Sequence, residues 1–60
     1  MSIVLFQETC GKYSLCIRQD KLCKSYHATI YKDSLKVYEN WFSTIPNAKK
    51  ALRRNLKNII

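Results

Sequence analysis

Five cations, Lys49, Lys50, Arg53, Arg54 and Lys57, fall near the end of this 60-residue chain, and residues 40–60 hold no acid to offset them. Clustered side chains of that sign attract phosphate and release its counterions. A second set has the donor types of a metal site or a nucleophile: Cys10, Cys16, Cys23 and His27. Structural zinc sites bring paired ligands from tight knuckles about two to four residues apart, and only Cys23 and His27 come near that spacing. A thiol of Cys16 or Cys23 beside His27 on adjacent strands would begin a thiolate–imidazole pair, but no orienting acid or oxyanion hole is evident. Free thiols are expected, with no metal, no cofactor and no catalysis.

The plain alternative for the cations is a solvated helix face. Lys and Arg toward the negative end of a helix dipole each gain about 0.3–1 kcal/mol. Ordinary solvated helices, however, interleave acids. Here no Asp or Glu stands three or four residues from any of the five, so they repel one another, and contact with a polyanion accounts for the excess better.

Positioning these residues falls to a thin domain. A chain of this length forms one unit, residues 1–60, that buries about 60% of its unfolded surface. At 47% hydrophobic, with one Gly and one Pro, it is too apolar for a disordered tail and poor in long loops. A homodimer would support so small a core. The net charge of +7 is uneven: residues 1–39 hold six cations against four acids, and the rest comes from the C-terminal third. The odd cysteine count and the absence of a basic start with a small-residue cleavage site point to a cytoplasmic protein with free thiols.

Residues 3–6 form a short apolar run of strand formers, followed by the only Gly-containing turn, Thr9-Cys10-Gly11-Lys12. Across residues 12–18, Tyr13, Leu15 and Ile17 alternate with Lys12, Ser14, Cys16 and Arg18, and the first set faces the core. After a polar break at Gln19-Asp20-Lys21, Tyr26, Ala28 and Ile30 alternate with Ser25, His27, Thr29 and Tyr31 in a third strand. Lys32-Asp33-Ser34 is a turn, and residues 35–42 have the composition of a fourth strand. Leu35 and Val37 share one parity and Phe42 takes the other, so a bulge near Glu39 or Asn40 is expected if both ends reach the core. Trp41 and Phe42 are read as core aromatics.

Thr44 is an N-cap and Pro46 sits in the first turn of a helix. At about 100° per residue, Ile45, Ala48, Ala51, Leu52, Leu56 and Ile59 gather on one side, and the five cations occupy a contiguous arc beside them. The class is α+β: an antiparallel sheet of three to four strands, here read as four, with one C-terminal amphipathic helix on one face. A basic amphipathic helix ending in Ile59-Ile60 can lie on an anionic bilayer. Its apolar side is needed to cover the sheet, so no membrane partner is expected.

Two stretches resemble a known family. Gly11-Lys12-Tyr13-Ser14-Leu15-Cys16-Ile17-Arg18 is similar to the Gly-Lys-aromatic strand of the plant ethylene-response-factor DNA-binding domain and of tyrosine-recombinase arm-binding domains. Phe42-x-Thr44-x-x-x-Ala48-x-x-Ala51 resembles their strand-to-helix junction. The resemblance implies a sheet lying in the major groove, a helix packed behind it, and Lys12 and Arg18 as DNA contacts. The chain departs from the pattern in its apolar first strand and in the extra strand between Arg18 and Phe42.

The resulting expectation is a small nucleic-acid-binding module, DNA ahead of RNA, gripping phosphates through Lys49, Lys50, Arg53, Arg54 and Lys57 with Lys12 and Arg18. The rival is an accessory or inhibitor protein of a phage or mobile element whose basic face docks on an acidic protein surface.

Overall fold

Two tight reversals turn the alternating segments into a meander. The computed structural model describes residues 2–20, 22 and 24–59, so readings that rest on Met1, Lys21, Cys23 and Ile60 lie outside it. Strands β1 (Ser2–Cys10), β2 (Tyr13–Asp20), β3 (Tyr26–Lys32) and β4 (Leu35–Phe42) form one antiparallel sheet in the order β1-β2-β3-β4, followed by helix α1 (Ile45–Ile59). The first reversal needs Gly11, at φ 62°. The second places Asp33 (φ 51°) and Ser34 (φ 72°) in the left-handed region, as a two-residue hairpin of the primed type requires. The Asp33 N–H donates to the Lys12 carbonyl at 3.2 Å, tying the two reversals together.

Strand limits differ from the local reading where pairing extends them. β1 runs on to Cys10 because its length is matched by β2, and β2 continues through the polar Gln19 and Asp20. The bulge in β4 lies at Val37, ahead of the expected Glu39 or Asn40, because Tyr31 pairs with Lys36 and Ile30 with Tyr38. The core residues of β4 are therefore Tyr38 and Phe42, and Leu35 and Val37 stay exposed. A second bulge falls between Val4 and Phe6 and turns Phe6 toward the helix side.

The core is one layer between sheet and helix: Leu15, Ile17, Ala28, Ile30, Ala48 and Leu52, ringed by Phe6, Tyr13, Tyr26, Tyr38, Phe42, Ile45 and Leu56. Ala28 and Ala48 are wholly buried, and such small side chains in both layers let α1 lie close over β3, with β2 and β4 on its flanks. At the helix start the Asn47 N–H donates to Thr44 Oγ1 at 3.4 Å, and the Ala48 N–H to the Thr44 carbonyl at 3.2 Å. The Thr44 cap and its helix thus form where the sequence indicates. Ala51 is only half-buried and lies outside the core cluster.

Candidate nucleic-acid interface

Docking of Ala48 and Leu52 on the sheet fixes the azimuth of every cation on α1. Lys50, Arg53, Arg54 and Lys57 are exposed, and none of them forms an ion pair among the described residues. Lys49 differs. It is half-buried, with Nζ 4.8 Å from the centroid of the Phe6 ring, so its stem seals the β1 side of the core while its charge interacts with the ring face. The flank of α1 turned away from Phe6 forms a shallow groove lined by Asn47, Lys50, Ala51, Arg54, Asn55 and Asn58. The Asn55 Nδ2 donates to the Ala51 carbonyl at 2.8 Å, which keeps that carboxamide on the helix.

The sheet cations stand elsewhere. Lys12 is exposed in the β1–β2 reversal. Arg18 pairs across the ladder with Val4 and His27, whereas its neighbour Ile17 is buried under the helix. Alternation therefore puts Arg18 on the helix-free face. The seven cations do not form one site: a ridge on α1 and Arg18 lie on opposite sides of the molecule. Lys36, also of the helix-free face by its pairing with Tyr31, is engaged with Glu39. Arg18 is thus the cation of that face without an ion pair among the described strand residues.

The helix-free face carries a cluster that sequence reasoning missed. Trp41, expected in the core, is 50% exposed. It pairs with His27 across β3 and β4, and their rings stack with centroids 4.2 Å apart and planes 16° from parallel. His27 Nε2 lies 3.5 Å from Glu39 Oε1, too long for a well-formed hydrogen bond, and has no other partner among the described residues. The signal was present: Trp41 and Phe42 are adjacent in one strand, so only one of them can face the helix, and Phe42 pairs with the core-lining Tyr26.

The Lys36 ammonium donates to Glu39 Oε2. That hydrogen bond, aided by the charge of Lys36, holds the Glu39 carboxyl below its usual range, and the same contact raises the Lys36 pKa. The signs follow from linkage. The lowered carboxyl adds stability that is present above the ordinary carboxylate range and lost as pH falls through its folded value. The raised ammonium adds stability that is present below the ordinary lysine range and lost as pH rises through its folded value. Thermal melts of native protein and Glu39→Gln should differ slightly at neutral pH, and the difference should vanish in acid. A difference that grows in acid would mean that the carboxylate is not stabilised by the fold.

Cys16 is buried and Cys10 exposed, both as free thiols. Cys10 pairs with Tyr13 and Cys16 with Thr29, which places them on opposite faces of the sheet. They cannot ligate one ion from these positions, and Cys23 lies outside the described residues. Among the described residues no helix is long and apolar enough to cross a membrane. No family model, curated protein or solved structure matches the chain.

Proposed function

We propose that this chain is a small nucleic-acid-binding module that grips phosphates with the cationic ridge of α1. One observation carries the reading: Lys50, Arg53, Arg54 and Lys57 are exposed side by side with no carboxylate paired to them among the described residues. Holding like charges together on one helix is unfavourable unless a polyanion neutralises them. The resemblance to the ethylene-response-factor domain would lead with Lys12 and Arg18 instead. The ridge is the stronger candidate because four exposed cations stand together on it, whereas Arg18 has no unpaired cation beside it on its face among the described strand residues.

Four to five phosphate contacts make affinity for duplex DNA fall with salt at a log–log slope of about −4. Fluorescence anisotropy of a labelled duplex of arbitrary sequence, titrated with the protein at several salt concentrations, tests this. A slope near that value supports the reading. No binding at low salt, or binding indifferent to salt, removes it. Stoichiometric complex formation with one acidic protein on a sizing column, without affinity for DNA or RNA, would instead favour an accessory or inhibitor protein.

A further inference from the structure

The Trp41–His27 stack is a device the phosphate-gripping ridge does not use. Trp41 lies on β4, an edge strand, with His27 of β3 against the inner face of its ring, so the other indole face looks outward past the sheet edge. A half-exposed indole held upright by a parallel imidazole offers a rigid planar surface with little freedom left to lose. The same row continues through Arg18, the partner of His27 on β2, and Tyr31 lies half-buried on the same face. Beside them the buried Thr29 hydroxyl and His27 Nε2 lack hydrogen-bond partners among the described residues. The nearby carboxylate of Glu39 is matched by Lys36 and does not present a free negative charge.

We infer that Trp41 is a stacking platform for an unpaired base, so that the preferred polyanion is a single strand. This rests on the nucleic-acid reading above. The geometry makes the choice between ligand forms. The ridge and the platform are on opposite sides of a molecule whose shortest extent is 15 Å. A duplex, with a persistence length of about 50 nm, cannot bend from one side to the other. A flexible strand of about ten nucleotides, within the usual site sizes of single-strand binders, can pass from the α1 ridge round the β4 edge and lay a base on Trp41. The ridge supplies the attraction at one end of that path, and along β4 the paired Lys36 and Glu39 set no net negative charge in its way. Stacking is sequence-tolerant, which suits a surface with few base-reading groups.

Trp41 is the only tryptophan, so its emission reports the site directly. The probe is an oligothymidylate of about fifteen nucleotides added to the full chain at low salt, with a duplex of equal length as comparison. The single strand should quench Trp41 emission and the duplex should leave it nearly unchanged. Trp41→Ala should weaken single-strand binding about tenfold and duplex binding little, whereas Trp41→Phe should retain most of the single-strand affinity. Saturating single-strand binding with unmoved Trp41 emission overturns the inference and leaves the ridge standing. Equal quenching by strand and duplex also overturns it. Absence of binding by either form removes the nucleic-acid reading itself. The quenching measurement uses the native chain, so it decides the matter even if Trp41→Ala fails to fold.

Discussion

Replacing Arg53 and Arg54 together by Glu should lower affinity for duplex DNA by at least about 100-fold near 0.1 M salt, with the log–log salt slope shrinking by about two. The arc holds five cations and no acid, and the double variant leaves three cations beside two carboxylates, so its charge falls from +5 to +1. Each phosphate deprived of its cation weakens binding about tenfold at that ionic strength, and the introduced carboxylates add repulsion. Stability should hardly change. Both arginines are exposed and make no ion pair among the described residues. The new carboxylates stand four residues from Lys49, Lys50 and Lys57, where opposite charges on a helix gain about 0.2–0.5 kcal/mol per pair. Anisotropy titrations and circular-dichroism melts of the two proteins separate the effects. Unchanged affinity would show that the ridge is not the binding surface, and a fall of many degrees in Tm would assign the arginines a structural role.

The ridge could be read from the chain because helical periodicity is local. Once Ala48, Leu52 and Leu56 define the inner side, the positions of Arg53, Arg54 and Lys57 follow from 3.6 residues per turn. The core faces of β2 and β3 were legible for the same reason, since period two assigns Leu15, Ile17, Ala28 and Ile30 without knowledge of neighbours. That Trp41 and Phe42 face opposite ways was legible too, but which of them faces out was not. It depends on the register of β4 against β3, and the bulge at Val37 that sets that register is a property of the pair, not of either strand. The separation of Arg18 from the ridge was implicit in two periodicities that meet only in the folded chain. Alternation places Arg18 on the wet face, and amphipathicity places the cations on the helix exterior. Only the docking of α1 on the Ile17 side puts the two on opposite sides of the molecule. Lys49 shows a finer limit: its position on the arc was legible, but its engagement with Phe6 requires the bulge in β1 that turns that ring toward the helix.

Leu52→Ala should bring the protein close to unfolding at ordinary temperature. Leu52 is 0% exposed and stands in a core cluster of six buried side chains, two of them alanines that cannot expand into a void. Leu→Ala at such a site costs about 2–5 kcal/mol, the larger values where surroundings do not collapse. A domain of this length has about 3–9 kcal/mol of stability in total. The Tm should fall by about 10–30 °C. Leu35→Ala, at a position 72% exposed, should stay within about 0.5 kcal/mol of native, and the pair isolates burial from side-chain type. Urea unfolding followed by far-ultraviolet circular dichroism reads both. The result bears on function as well as stability, because the ridge exists only while Leu52 keeps α1 seated. If Leu52→Ala melted like the native chain, the helix would not be docked by that side chain, and the cations would belong to a free amphipathic segment with no fixed outward face.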